Sequence, residues 1–223
     1  RRNLIINGAM QVAQRGTSAV TLSNAESFGV DRFIARNQSN SGDNTIQQVS
    51  DAPAGVGSHS LKWTTGTSDT AGSTDNNYIA QKIEGANLAH LKWGTSDALT
   101  VTLSFYVKSS LTGNFGGSFT NNDLSRNYPF SFSISSADTW ERKEITVAGD
   151  TTGTWGVTSS DRLWLFFDLG MGSTYRGTAG AWTATRAQGV TGSVDVIGTA
   201  GATFQLTGVQ LEVGTVATPH EHR

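Results

Sequence analysis

The chain has 223 residues, of which 16 are Lys or Arg, 18 are Asp or Glu and none is Cys. The absence of Cys excludes a disulfide-stapled domain, a Cys-ligated zinc site and a thiol nucleophile. The net charge of −2 argues against a nucleic-acid partner, because binding to phosphates needs a basic surface. No stretch approaches the ~20 apolar residues of a membrane helix, so we expect no membrane insertion.

The length fits one large β domain, and we expect residues 1–223 to form it. No Pro-rich linker, charge block or internal repeat marks a boundary within the chain. The sequence opens on Arg1 rather than on Met, so we expect it to be a fragment or a processed piece of a longer protein.

Short alternating strands, separated by clusters of Gly, Ser, Thr, Asn and Asp, dominate the chain. This pattern predicts an all-β fold, a sandwich or a barrel. The predicted strands are 3–7, 30–37, 45–50, 60–65, 78–83, 98–108, 113–119, 128–134, 141–147, 162–169 and 203–212. Only residues 87–93 could make a short helix, which Gly94 would end.

Two long strands are predicted to lie at the centre of the fold. Residues 99–107 alternate strictly, which places Leu99, Val101, Leu103, Phe105 and Val107 on one face. Residues 204–213 alternate with a slip of one residue at Gly208, which predicts a β-bulge.

Residues 170–202 lack the alternating pattern of the other segments, and we predict that they form one long loop. They contain eight Gly and many Thr and Ala, with Tyr175 and Trp182 as the large aromatic residues. A loop of this length is uncommon inside a compact domain, and is usually functional or packed by its own side chains.

Patterns for catalysis are weak, and we predict that the chain is not an enzyme. It has neither a Gly-x-Ser-x-Gly nucleophile motif nor a phosphate-binding loop. A glycosidase needs two carboxyl groups roughly 5–10 Å apart across a cleft. The nearest candidates are Asp161, Asp168 and Asp195, and no spacing in the sequence brings them together.

Two places could hold a metal ion. Asp31 heads the segment Asp31-Arg32-Phe33, where it could join backbone carbonyls around a structural Ca²⁺ or pair with an Arg. His220 and His222 lie two residues apart, so an extended backbone would put both imidazoles on one side for a divalent metal. A solvated tail is the alternative reading of the two His residues.

Aromatic residues in turn-rich segments are the candidate binding residues. Sugars stack on exposed indole faces, and amide, carboxylate and guanidinium groups at the rim assist them. Trp155, Tyr175, Arg176 and Trp182 fit that description, whereas Trp164 lies inside an apolar strand and is expected in the core or on the sheet surface. The alternative is that the loop aromatics fasten Gly-rich loops onto the body of the domain.

The sequence also resembles a family of phage proteins. Residues 3–16, Asn-Leu-Ile-Ile-Asn-Gly-Ala-Met-Gln-Val-Ala-Gln-Arg-Gly, are similar to the opening of tail-fibre and minor structural proteins of marine and cyanobacterial phages. Asp31-Arg32-Phe33, the stretch Leu103-Ser-Phe-Tyr-Val-Lys-Ser and the closing residues 204–219 add to the likeness. One departure is His220, since the family usually reads Thr-Pro-Phe-Glu-His-Arg at this point.

The same order of motifs resembles the jelly-roll carbohydrate-binding modules. Together the resemblances imply an all-β jelly-roll sandwich in a virion structural protein: a tail fibre, spike or head-decorating subunit. They imply a homotrimer at the phage surface, with other virion proteins and host-surface glycan as partners, and modules of this kind often hold a structural Ca²⁺. A purely architectural decoration or capping protein is the main alternative, and a polysaccharide depolymerase is the other.

Overall fold

The computed structural model describes residues 3–38 and 43–223. The strands of these residues are β1 (Val20–Thr21), β2 (Ser27–Val30), β3 (Phe33–Arg36), β4 (Thr45–Val49), β5 (Ser60–Thr64), β6 (Tyr78–Glu84), β7 (Val101–Ser109), β8 (Gly113–Asn121), β9 (Asn127–Ile134), β10 (Glu141–Val147), β11 (Asp161–Asp168), β12 (Arg176–Gly177), β13 (Gly189–Val190) and β14 (Thr203–Val213). A four-residue helix, α1 (Gly85–Leu88), continues as a 3₁₀ turn at Ala89–Leu91, and further 3₁₀ turns lie at Ser173–Tyr175 and Val196–Gly198.

The strands form two six-stranded antiparallel sheets. Sheet A has the order β1-β4-β5-β14-β7-β10 and sheet B the order β2-β3-β6-β11-β8-β9, while β12 and β13 make a small parallel pair. The two sheets pack face to face over a common apolar core. The predicted all-β sandwich with one short helix is therefore confirmed. None of the helices in the described residues has the length and apolar character needed to cross a bilayer.

The predicted central strands β7 and β14 are neighbours inside sheet A. Val101, Leu103, Phe105 and Val107 are fully buried, as their alternation requires. The Phe105 ring reaches across the sandwich and meets Phe167 of sheet B edge to face, with 5.1 Å between ring centroids. Leu99, which was expected on the same inward face, precedes β7 and is exposed.

The predicted bulge lies in β14 opposite β7. The register shifts between Thr207 and Gln210, and Gly208 between them has a φ of +62°. A Cβ at this position would lie 2.8 Å from the Val56 side chain and 3.0 Å from that of Tyr106. Glycine is therefore required here by backbone conformation and by space.

The expected strand at 3–7 is wrong. Asn7 has a φ of +58°, and the segment makes one backbone bond to β14 at Leu4. Hydrogen bonds from side-chain amides take the place of backbone pairs that a strand would make here. The Gln81 amide accepts from Ile6 N–H over 3.0 Å and donates to the Ile6 carbonyl over 2.9 Å.

The expected strand at 30–37 is interrupted near its start, since it contains the last residue of β2, a turn and β3. A turn at Asp31 and Arg32, in which Arg32 has a φ of +74°, folds β2 back on β3 as a hairpin. Phe28 then lies directly opposite Ile34 on one face of sheet B. This hairpin supplies one wall of the site described below.

Residues 170–202 contain short elements rather than one irregular loop. They hold β12, β13 and two 3₁₀ turns, and they pack on the outer face of sheet B. Val190 lies so close to Gly116 of β8 that a Cβ there would be 2.9 Å from the Val190 Cβ. The segment covers the β8 side of that face and leaves the β2 side open.

Candidate functional site

The outer face of sheet B carries an apolar row that crosses the strands. Phe28 pairs with Ile34, Ile34 with Ala80, and Ala80 with Phe166. These side chains point away from the main core, because the alternate residues of the same strands fill it. Ile34, Ala80 and Phe166 are buried in a second apolar cluster, whereas Phe28 at the sheet edge is exposed.

A groove opens at the Phe28 end of this row, and we call it the sheet B groove. Its volume is about 400 Å³. It is lined by Glu26, Phe28, Arg32, Ile34, Lys82, Glu84, Ser159 and Ser160. Phe28 and Ile34 give it an apolar surface, and the remaining side chains carry hydrogen-bonding groups.

Two ion pairs hold the charged side chains of the groove in place. Lys82 Nζ lies 2.8 Å from Glu26 Oε2, and Arg32 Nη2 lies 2.6 Å from Glu84 Oε1. Burial would raise the pKa of Glu84, but the hydrogen bonds from Arg32, the backbone and Asn87, together with the Arg32 charge, lower it below its ordinary value. Both pairs are partly exposed, so their polar atoms can also reach a ligand.

An aromatic ring and a phenol contact the Glu26–Lys82 pair of the groove from the same face of sheet B. Lys82 Nζ lies 4.0 Å from the ring centroid of Trp164, which is half-buried on the same face. The Tyr78 hydroxyl donates to Glu26 Oε1 over 3.1 Å. Burial, assisted by the Glu26 charge, raises the pKa of Tyr78 above its ordinary value. The site thus combines apolar surface with fixed donors and acceptors and suits a polyhydroxylated ligand.

The structure brings two of the predicted binding residues together. Trp155 and Trp182 pack edge to face, with ring centroids 5.6 Å apart, and both contact the buried Trp93. The Trp155 indole N–H donates to Asp150 over 3.0 Å, and that of Trp182 donates to the Ala148 carbonyl over 2.7 Å. Both indoles are half-buried, and their polar edges are used within the chain.

A buried carboxylate holds this aromatic cluster. Asp150 is 1% exposed, and Arg126 donates to both of its oxygens over 2.6 and 2.8 Å. Burial would raise the pKa of Asp150, but the hydrogen bonds from Arg126, Trp155 and Thr152 together lower it below its ordinary value. The arrangement fastens the loop around Trp155 to the start of β9.

Tyr175 and Arg176 lie in a different contact network from the two indoles. The ring of Tyr175 is covered by the Arg186 guanidinium, 3.8 Å from its centroid. Arg176 donates to Asp168 over 3.1 and 3.2 Å and also to Asp195. Burial would lower the pKa of Arg176, but the two carboxylates raise it above its ordinary value. The four predicted residues therefore do not form one surface.

Arg176 also brings together two of the acids considered for catalysis. The side chain of Asp168 is fully buried and accepts from the backbone N–H groups of Gly170 and Met171 and from the Ser193 hydroxyl. A carboxylate so enclosed cannot approach a polymer. The side chain of Asp161 lies outside the described part of the structure.

Asp31 does not fit a Ca²⁺ site. Its Oδ2 accepts from the Gln14 N–H and its Oδ1 lies 3.4 Å from the Arg15 guanidinium, so hydrogen-bond donors face both oxygens. The Asp31 carbonyl accepts from the Asn7 amide over 2.9 Å. Within residues 3–38 and 43–223, no three His, Asp or Glu side chains cluster closely enough to hold a metal ion.

His220 and His222 do approach each other. Their ring centroids are 5.0 Å apart, with the rings nearly perpendicular. Burial lowers the pKa of His220, and the neighbouring His222 lowers it further. In the described residues no third ligand joins this pair.

Comparison with known proteins relates the chain to solved structures only. No family model matches, and no curated protein matches. A protein of Bacteroides thetaiotaomicron, provisionally described as sugar binding, superposes with a TM-score of 0.54 at 14% identity, over 96% of this chain and 100% of that one. The enzymatically active domain of tailspike protein 4 from bacteriophage CBA120 superposes with a TM-score of 0.50 at 12% identity.

The tailspike match covers 95% of this chain but only 21% of the other, so the chain spans about a fifth of the tailspike's length. A carbohydrate-binding module solved with β-1,4-galactotriose gives a TM-score of 0.47 at 10% identity, over 96% of this chain and 100% of that one. At such identities a likeness shows the fold alone. The chain therefore has a jelly-roll β-sandwich fold similar to those of a provisionally described sugar-binding protein and a phage tailspike domain.

Proposed function

We propose that this chain is a carbohydrate-binding domain, that it is not an enzyme, and that it binds saccharide in the sheet B groove. The observation that carries the proposal is the groove itself. Phe28 and Ile34 offer an apolar surface for the CH face of a sugar ring, next to two fixed ion pairs, Glu26–Lys82 and Arg32–Glu84. Charged partners give hydrogen bonds to hydroxyl groups about twice the strength of neutral ones.

The size of the groove supports a short stretch of glycan. A volume of about 400 Å³ lies at the lower end of the range for ligand pockets, roughly 300–1,000 Å³. Its open form, on the outer surface of a sheet, would allow a chain to enter and leave at both ends. The fold supports the proposal as well, since a provisionally described sugar-binding protein shares it over its whole length.

We further propose that the domain belongs to a phage virion structural protein, a tail fibre, spike or head-decorating subunit, and that it binds host-surface glycan during adsorption. The end-to-end sequence resemblance supports this placement on the virion, and a tailspike domain has the same fold. A homotrimer with other virion proteins as neighbours belongs to the same proposal. Light scattering of the purified chain at high concentration tests it, and a monomer would contradict the trimer.

A purely architectural role is the second candidate, and one observation favours it. The loop aromatics Trp155 and Trp182 direct their indole N–H groups into the chain and pack on each other and on Trp93. That arrangement stabilises the loops and needs no ligand. A domain that only decorates or caps the virion would bind no saccharide in any assay.

A glycan array and a host-cell pull-down with the purified chain, each run with and without EDTA, separate the two candidates. Saturable binding to one saccharide class supports the binding proposal. Since Asp31 does not suit Ca²⁺, we expect binding to survive EDTA. No binding by folded protein would favour the architectural role.

A further inference from the structure

A second pocket continues from the sheet B groove, and we call it the cationic pocket. The two share Phe28 and Arg32 in their walls, so they form one continuous depression around the edge of β2. The cationic pocket has a volume of about 500 Å³. It lies between this edge and the segments around residues 6–15 and the chain end at Arg223.

The charges of the two depressions differ. The cationic pocket is lined by three guanidinium groups, those of Arg15, Arg32 and Arg223, against one carboxylate, that of Asp31. The sheet B groove instead balances Arg32 and Lys82 against Glu26 and Glu84. Counted once over the described residues of the joined depression, four cationic side chains face three carboxylate side chains, and the one cation outside the ion pairs, Arg223, lies in the cationic pocket.

The guanidinium groups keep donors for a ligand. Arg15 makes one long contact of 3.4 Å to Asp31 and lies over Phe28, 4.3 Å from the ring centroid, with its side chain 64% exposed. Arg32 contacts Glu84 through Nη2 alone. Each guanidinium has five N–H donors, so Arg15 and Arg32 both retain several.

The Arg223 guanidinium makes its hydrogen bonds to uncharged oxygens. It donates to the carbonyls of Asn3 and Leu4 over 3.1 and 3.2 Å and to the Asn87 amide oxygen over 2.7 Å. Among the described residues, no Asp or Glu side chain forms an ion pair with it. These bonds hold the guanidinium rigidly at the wall of the pocket.

We propose that the cationic pocket is the subsite for an anionic group, a carboxylate or a phosphate, on the saccharide that the sheet B groove binds. The inference rests on the proposed function and specifies its ligand as an acidic glycan. Guanidinium groups suit both anions, because their planar N–H pairs match carboxylate and phosphate oxygens. Phe28, between the two depressions, would lie under the sugar ring that bears the charge.

The test is a calorimetric titration of matched saccharides. Tetragalacturonate and its methyl-esterified form differ in the carboxylate charge and in the ester methyl groups, and mannose 6-phosphate and mannose differ only in the phosphate. We expect at least one charged member to bind tenfold or more tightly than its neutral counterpart. The advantage should shrink in high salt, since the Debye length is about 8 Å at 0.15 M and 3 Å at 1 M.

Single substitutions test whether the tighter binding of the charged saccharide arises in the cationic pocket. Arg15→Gln and Arg32→Gln should each remove most of the charged ligand's advantage, while Arg142→Gln, on the outer face of sheet A, should leave it unchanged. Arg15 is largely exposed, so Arg15→Gln keeps the test decisive if Arg32→Gln does not fold. Equal binding of acid and ester, with loss in Phe28→Ala, would overturn this inference alone. Absence of binding to any saccharide would overturn the proposed function with it.

Discussion

Arg176 Nε donates to Asp168 Oδ2 over 3.1 Å, and the two side chains are 12% and 0% exposed. The pair joins the end of β11 to the start of β12, so it fastens residues 170–202 to sheet B. A residue predicted to contact sugar thus neutralises a buried carboxylate. Its loss should affect stability before it affects binding.

Arg176→Met should lower the free energy of unfolding by on the order of 3 kcal/mol, because it leaves the Asp168 carboxylate buried without its cation. Urea denaturation measures this. Arg186→Met is the matched control, since Arg186 covers Tyr175 from the same segment and should cost about 1 kcal/mol. Equal losses in the two variants would contradict the role given to the Arg176–Asp168 pair.

The Asp150 carboxylate should make stability depend on acid pH. Its pKa in the folded chain lies below its ordinary value, which is about 3.9. The stabilisation is therefore fully present above pH ~4 and is lost as the pH falls through the lower, folded pKa. Asp150→Asn should be less stable at pH 7, and the gap to the parent should narrow towards pH 2.

Urea midpoints between pH 7 and pH 2 check this linkage. Asp97→Asn is the control, because the Asp97 side chain is 71% exposed and pairs with Lys92 at 3.5 Å. The urea midpoint of Asp97→Asn should change with pH in the same way as that of the parent. A constant gap between Asp150→Asn and the parent at all pH values would show that the Asp150 contacts contribute no pH-dependent stability.

Gly208→Ala should lower the stability of the chain by more than the conformational penalty of a positive φ. The residue has a φ of +62°, and an added Cβ would press on Val56 and Tyr106. Gly201→Ala separates the two effects, because Gly201 has a φ of +74° with open space around its Cβ position. We expect a loss of about 1 kcal/mol at Gly201 and at least twice that at Gly208. Thermal unfolding of both variants measures the two losses. Similar losses would show that contacts of the added Cβ with Val56 and Tyr106 contribute nothing.

Sequence periodicity predicted the sheets well, because burial on one face imposes a period of two. The inward residues of β7 and the slip at Gly208 are direct consequences of that rule. At residues 3–7 the same rule predicts a strand that the structure does not contain. Leu4 and Ile5 are buried, but the Gln81 amide provides hydrogen bonds to Ile6 that a neighbouring strand would otherwise supply.

The sheet B groove could not be assembled from sequence alone. Phe28 lies in the four-residue β2, which has no visible periodicity, and Glu26 directly precedes that strand. The ion pairs Glu26–Lys82 and Arg32–Glu84 each join residues more than 50 positions apart. The turn at Arg32, with its positive φ, aligns these strands. The one sequence signal for this region is the motif Asp31-Arg32-Phe33, which predicts a metal site or an ion pair.

For the loop aromatics, sequence alone could not separate binding from packing. A Trp in a Gly-rich loop satisfies both descriptions until its indole N–H partner is known. Trp155 and Trp182 have partners within the chain. Whether they also touch a ligand stays a prediction.

One measurement tests the central claim most directly: calorimetric titration of the best array saccharide into the parent chain and three variants. Phe28→Ala and Lys82→Met change the sheet B groove, and Trp182→Leu changes the loop cluster, with folding of each verified by circular dichroism. The account predicts at least tenfold weaker binding in both groove variants and unchanged affinity in Trp182→Leu. Full affinity in both groove variants, with loss in Trp182→Leu, would contradict it.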